Sequence, residues 1–189
     1  MITYTNIDDL NKLILKKSVG ISPFIIAVDG FGGAGKSVLC KQLTDLLSNS
    51  IAIQTDNFIV HPHEPNVFDH DWQAIEDKVL IQAKTAKQVV IKTYDWKTLS
   101  KVPDVKVKVP KYVVVDGIGL LDPKYSRYFD LKIWIDCPYA LSLERCKRRD
   151  KEEGTDHDEL WNTVWGPGEK AYFERSRPDM RADLLFKTY

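Results

Sequence analysis

Long hydrophobic runs are missing from this chain of 189 residues, and with them the roughly 20 consecutive apolar residues that a membrane-crossing helix needs. A surplus of charge is missing too: Lys plus Arg number 27 and Asp plus Glu number 27. Proteins that grip nucleic acid generally carry a positive excess, so nucleic acid is not expected as a partner. Cysteine is scarce. Cys40, Cys137 and Cys146 stand singly, with no paired spacing suited to zinc or to a disulfide framework, which fits a reducing compartment. Internal repeats and low-complexity tracts are absent. The N-terminal stretch has Asp8 and Asp9 early and Lys16 and Lys17 late, the reverse of a secretory signal, so a cytoplasmic location without membrane attachment is expected.

What is present suits a globular protein: 43% hydrophobic and 29% charged residues. A chain of this length can bury roughly 70% of its unfolded surface, enough to fold without disulfides or metal. One domain over residues 1–189 is expected, with a small helical lid near 145–165.

Ile7, Leu10, Leu13 and Ile14 recur at helical spacing, and the flanking charges complement the helix dipole. Phe24–Val28 then reads as a buried strand, and Leu39, Leu43, Leu46 and Leu47 mark a second helix. Ile51–Ile53 reads as a strand, Asn57–Phe68 as a loop, and Trp72, Ile75, Val79 and Leu80 as a helix. Val89–Ile91 begins a strand running into Tyr94, Asp95 and Trp96, and the alternation from Val102 to Val109 predicts a half-exposed hairpin. Tyr112–Val115 and Leu131–Ile135 are strands, Tyr139–Arg149 is a helix, and Ala182–Phe186 is the last strand. Short apolar strands alternating with helices predict a three-layer α/β/α fold around a parallel sheet.

Between the first strand and its following helix lies Gly30-Phe-Gly-Gly-Ala-Gly35-Lys36-Ser37, which matches G-x-x-x-x-G-K-[ST]. Glycines let the backbone wrap a polyphosphate with its amides pointing inward, and the helix N-terminus adds partial positive charge. The expected cradle comprises Gly30, Gly32, Gly33, Ala34, Gly35, Lys36, Ser37 and Val38. Lys36 would reach the β- and γ-phosphates of ATP, and the Ser37 hydroxyl would hold Mg2+.

Asp116 ends the run Val113–Val115, at the strand edge where ligands of open α/β sheets bind, and is the natural group to hold magnesium beside Ser37, directly or through a bound water. Asp56 ends another strand and could take the proton of an acceptor hydroxyl. Asp95 ends a third, so the division of base and metal ligand among Asp56, Asp95 and Asp116 stays open at this level. No N-K-x-D string is present to read guanine, and the chain is small for a motor; a small-molecule kinase is favoured.

The strings Thr55-Asp56-Asn57-Phe58, Val67-Phe68-Asp69-His70, Thr93-Tyr94-Asp95-Trp96, Val115-Asp116-Gly117-Ile118 and Ala182-Asp183-Leu184-Leu185, taken with the P-loop, resemble the uridine kinase family. The resemblance runs from about residue 24 to 186. It implies Asp56 as the base, Asp69 as a ribose contact, and Tyr94 and Trp96 as walls of the base pocket. Two departures bear on the acceptor. Lys97-Thr98-Leu99 stands where the family places a pyrimidine-contacting histidine, and the arginines that follow the family's Arg-Asp pair are replaced after Arg149-Asp150 by Lys151-Glu152-Glu153.

Arg145 and Arg149 are four apart and predicted to share one helix face, in a lid that brings positive charge to the phosphates. Arg149 is expected to neutralise the transferring group and Arg145 to contact substrate. Trp161 and Trp165 share a helical stripe, expected mainly to pack the core. The combined expectation is an ATP- and Mg2+-dependent kinase acting on a nucleoside 5′-hydroxyl, uridine or cytidine first. The alternatives are nicotinamide riboside, pantothenate, or a non-enzymatic ATP-binding module; a homo-oligomer is left open.

Overall fold

Two runs without a polar interruption, Phe24–Val28 and Tyr112–Val115, form strands buried along their whole length. The computed structural model describes residues 1–58, 70–85, 88–95 and 100–189, with backbone alone for 92–95, 100 and 101. The first half contains β1 (Ile2–Tyr4), α1 (Ile7–Lys17), β2 (Phe24–Asp29), α2 (Lys36–Leu46), β3 (Ser50–Gln54) and a 3₁₀ turn (Thr55–Phe58). α3 (Trp72–Ile75) continues through a π-helical segment (Glu76–Leu80) into α4 (Ile81–Thr85), followed by β4 (Gln88–Asp95) and β5 (Ser100–Lys108). Then come β6 (Tyr112–Asp116), α5 (Pro123–Ser126), β7 (Leu131–Asp136) and α6 (Tyr139–Glu152). α7 (Asp158–Leu160) leads through a second π-helical segment (Trp161–Trp165) into α8 (Gly166–Ser176), α9 (Pro178–Arg181) and β8 (Leu184–Lys187).

Six strands form one parallel sheet in the order β1-β8-β7-β2-β6-β3. Helices cover both faces, which gives the expected three layers. Strands buried on both faces have no use for alternation, hence the near-continuous aliphatic sequence of β2 and β6. Each fully buried aliphatic side chain there contributes about 1.5–3 kcal/mol. From β2 the chain proceeds to β3 and β6 on one side and only later to β7 and β8 on the other. The crevice at the carboxyl end of β2 is therefore the topological switch point.

α1 starts where its sequence says it should. The Asn6 side chain accepts from the Asp8 and Asp9 amides at 2.7 and 3.3 Å, and Leu10 and Ile14 face the core. The hairpin expected within 102–109 is instead a single strand, β5, paired antiparallel with β4 outside the main sheet. Pro103 explains the irregularity in that ladder: having no N–H, it falls in the register shift between the Ile91–Val105 and Thr93–Val102 pairs. β1 was not foreseen; it adds an edge strand along β8. Of the loop expected over 57–68, Asn57 and Phe58 lie in the 3₁₀ turn and the rest lies outside the described residues. No helix among the described residues is long and apolar enough to cross a membrane.

Candidate active site

The glycine-rich loop connects the carboxyl end of β2 to the first turn of α2. Gly33 and Gly35 take φ of 70° and 104°, a region L side chains resist. Gly33 has a second constraint, since a Cβ there would collide with the Ser142 carbonyl oxygen of α6. At Gly32 a Cβ would meet both Glu169 of α8 and the Trp161 ring at 2.8 Å. The loop is thus packed under α6, α8 and the second π-helical segment, and only a chain this poor in side chains fits.

Lys36 Nζ donates to the carbonyl oxygens of Gly30 and Phe31, each at 2.9 Å, so the ammonium lies across its own loop. The amides of Lys36, Ser37 and Val38 open α2 and have no partner within the helix, while the helix dipole brings positive charge to the same end. The Val38 side chain points to solvent, which leaves its amide as the group that could serve. From behind, Thr188 Oγ1 donates to the Ala34 carbonyl oxygen at 2.8 Å.

Two buried carboxyls brace the loop. Asp29, the last residue of β2, accepts from the amides of Gly30 (2.7 Å) and Leu121 (3.0 Å) and from the Tyr172 hydroxyl (2.6 Å). Burial pushes its carboxyl up to about 6, against the pull of those bonds and of Lys36. Glu169 Oε1 accepts from the Gly32 amide at 2.9 Å. Burial pushes it up to about 7; Lys36 and the Gly32 amide pull down, Asp29 and Asp56 push further up.

The sheet register sets Asp116 opposite Val28 on one side and Gln54 on the other, level with the start of the loop. Burial raises its carboxyl to about 6; Lys36 and hydrogen bonds from Ser37 and Cys40 lower it, and the Asp56 charge raises it. Its Oδ2 is buried with no hydrogen-bond partner among the described residues. An unpaired buried carboxylate oxygen beside a serine hydroxyl is a hard-oxygen donor set that fits magnesium. Among the described residues no three His, Cys, Asp or Glu converge on a metal, so an ion held here would complete its shell with phosphate oxygens and water.

Asp56 stands in the 3₁₀ turn after β3, its side chain 65% exposed, with His70 Nε2 at 3.2 Å from Oδ1. Crowding in the cleft pushes its carboxyl up. The hydrogen bond and charge of His70, with the charges of Lys36 and Arg149, outweigh that, and the net shift is downward. Asp56 therefore stays a carboxylate across the pH range in which the buried acids Asp29, Asp116 and Glu169 titrate.

The two arginines expected on one face of α6 part company. Arg149 Nη2 donates to Asp150 Oδ1 at 3.1 Å, and its charge acts on Asp56. Arg145 Nη2 instead donates to the Thr188 carbonyl oxygen at 3.0 Å, with Nη1 at 3.6 Å from Cys137 Sγ. Asp150 also accepts from Trp161 Nε1 at 2.8 Å, with His157 Nδ1 at 3.3 Å. Trp161 is buried and meets Trp165 edge-to-face, the centroids 4.9 Å apart. Asp69 and Trp96 lie outside the described residues, and Tyr94 is described by its backbone only.

Sequence reasoning missed Asp29, Asp150, Glu169 and Tyr172, and used His70 only as part of a motif string. Asp29 carried a signal in being an acid at the end of a buried apolar strand, directly before the glycines. Glu169 and Tyr172 carried little, because their partners are 137 and 143 positions away.

A parallel sheet with this loop at its switch point defines a P-loop nucleoside triphosphate-binding protein. The chain belongs to the AAA domain family, whose profile matches residues 26–165. It is 28% identical over 184 residues to inorganic pyrophosphatase TTM2 of Arabidopsis thaliana, a match covering 90% of this chain and 26% of that protein. It is 26% identical over 148 residues to a uridine kinase of Ligilactobacillus salivarius (strain UCC118), covering 69% of this chain and 68% of the relative. The chain thus spans about a quarter of the length of the first and about two thirds of the second. A candidate fructose transport system kinase from Silicibacter sp. TM1040 shares the fold with a TM-score of 0.82 at 19% identity, covering 96% of this chain and 98% of that one. A candidate uridine kinase from Bacillus stearothermophilus does so with a TM-score of 0.73 at 22% identity, covering 95% and 96%. The chain is therefore similar in sequence to uridine kinases and shares the fold of these two solved structures.

Proposed function

We propose that this protein is a phosphotransferase that moves the γ-phosphoryl group of ATP to an alcohol, with a nucleoside 5′-hydroxyl, uridine or cytidine first, as the acceptor. The observation that carries this reading is the pairing of an accessible, ionised Asp56 with the Lys36 and Arg149 charges that act on it. A nucleotide-binding module has no use for a carboxylate kept ionised in its cleft, whereas a kinase needs one to orient a hydroxyl.

In this reading the amides around Gly32 to Ser37 hold the polyphosphate, and Lys36 swings from its own loop carbonyls to the β- and γ-oxygens. Ser37 and Asp116 would hold magnesium, which when bound neutralises charge on the β- and γ-phosphates. Arg149 supplies positive charge from the lid side, and residues 145–165 act as that lid. Asp56 accepts the acceptor's hydroxyl hydrogen. Asp69, Tyr94 and Trp96 are assigned to ribose and base by their likeness to the uridine kinase strings.

The test is an ADP-release assay over nucleosides, nicotinamide riboside, pantothenate and sugars, the last because of the likeness to a fructose transport system kinase. Turnover with uridine or cytidine is expected. Turnover with another member alone would keep the chemistry and change the acceptor. Tight ATP binding with no acceptor-stimulated ADP release would leave a binding module.

A further inference from the structure

Asp56 has a buried companion. His70 Nε2 lies 3.2 Å from Asp56 Oδ1, and because an ionised carboxylate only accepts, Nε2 carries the hydrogen of that bond. The partners differ sharply in access: the His70 side chain is 9% exposed, that of Asp56 65%. The imidazole is the fixed partner and the carboxylate is the one that solvent and substrate can reach.

Several contacts do the fixing. The Asp71 amide donates to the Phe58 carbonyl oxygen at 2.7 Å, which ties the residue after His70 to the turn that carries Asp56. The Trp72 amide donates to the His70 carbonyl oxygen at 2.8 Å, and the Trp72 ring lies 5.9 Å from the imidazole. Trp72 in turn stacks on Tyr125, with centroids 4.4 Å apart and planes 16° apart. His70 Nδ1 is buried with no partner among the described residues, so the bond to Asp56 is the polar contact through which this ring acts.

We propose that His70 is a positioning residue for the transfer step: it occupies Oδ1 of Asp56 and thereby presents Oδ2 to the acceptor hydroxyl. The inference rests on the reading of Asp56 as the base. In that step the acceptor oxygen bonds to the γ-phosphorus while the bridging bond to ADP breaks and its electron pair leaves on ADP. The hydroxyl proton moves to Asp56 Oδ2. A carboxylate free to rotate would spread its basic oxygens over many directions, and a misplacement of about 1 Å can cost as much as 100-fold in rate.

His70 also bears on the charge state. Asp56 is faced by His70, Lys36 and Arg149, which favour its ionised form, and by the carboxyls of Asp116 and Glu169, which oppose it. Without His70, crowding and the two carboxyls work against Lys36 and Arg149 alone, and the Asp56 carboxyl moves upward. A base works only when ionised, so the acid limb of the rate profile would move to higher pH.

Two variants test this. His70→Phe keeps the ring's bulk against Trp72 but has no donor; His70→Gln keeps an N–H near the place of Nε2. The expected result for His70→Phe is a kcat lower by about 10- to 100-fold, an ATP KM within a factor of about two, and an acid limb at higher pH. His70→Gln should recover most of the rate and move the limb part of the way back, since it restores the hydrogen bond but not the charge. In the ligand-free protein, carboxyl 13C NMR should show the Asp56 titration raised in His70→Phe and partly restored in His70→Gln, which keeps the hydrogen bond but not the charge. An unmoved titration, or a His70→Gln as impaired as His70→Phe, overturns the inference. Wild-type protein that phosphorylates no acceptor, while its Asp56 titration still responds to His70, sinks the kinase reading and leaves the pairing standing.

Discussion

Glu169 and Gly32 are 137 positions apart in the chain and 2.9 Å apart in the fold, the carboxylate of one accepting the amide of the other. A P-loop amide is the kind of donor a polyphosphate seeks, and here it is engaged by a buried acid on α8. The contact joins α8 to the glycine-rich loop and sets one acidic group where an anionic ligand would lie.

Replacing that charge should therefore favour ATP. Glu169→Gln keeps an acceptor for the Gly32 amide and removes the negative charge, so ATP should bind roughly tenfold more tightly at pH 8, about 1.4 kcal/mol. In the wild type, affinity should fall as pH rises through about 7, and in the variant it should stay flat. Calorimetric titration at pH 6 and 8 reads both. The same group affects stability. Between its ordinary value of 4.5 and about 7 the folded state holds a proton that the unfolded chain has released. On this account wild-type stability declines with rising pH across that window and levels off above it, and the variant lacks the decline. Unchanged or weaker ATP binding in Glu169→Gln would remove the competition.

Gly117 tests the geometry of the turn beside Asp116. A Cβ at Gly117 would collide with Thr55 Oγ1 and lie 2.8 Å from Thr55 Cβ and Cγ2. Thr55 is buried and directly precedes Asp56, so it has no room to retreat. Gly117→Ala should cost about 1–3 kcal/mol in thermal or denaturant unfolding. Adding Thr55→Ala should recover part of that loss, because it removes the obstructing atoms. A double variant no more stable than Gly117→Ala would show that the crowding lies elsewhere.

Asp150 is 4% exposed and gathers Trp161, His157 and Arg149 around one carboxylate. Asn in its place offers one acceptor where two were used and turns an N–H₂ toward a donor. Asp150→Asn should destabilise by about 2 kcal/mol or more. It should also speed amide exchange over 155–165 ahead of the central sheet. Uniform loss of protection across the sheet would mean that Asp150 supports the whole core rather than this segment.

The central sheet and the cradle were legible because their signals are contiguous. Phe24–Val28 and Tyr112–Val115 can only be buried strands, and the eight residues from Gly30 to Ser37 carry their chemistry in order. β1 escaped notice because Ile2–Tyr4 is too short to show a period. The β4–β5 pairing was misjudged because Pro103 interrupts the alternation that would have marked one long strand. Arg145 and Arg149 do sit four apart on a helix, yet long side chains find different partners, Thr188 for one and Asp150 for the other. Glu169 and Tyr172 were illegible for a different reason. Their roles exist only once α8 has been laid over the loop, and no local pattern encodes that contact.

The most direct test of the account is the turnover of Asp56→Asn. The substitution keeps the size of the side chain and removes its basicity, while the P-loop contacts are left alone. With the best acceptor at saturation, kcat should fall by about 10²- to 10⁴-fold, with ATP affinity changed little. Full turnover in Asp56→Asn would contradict the account at its centre.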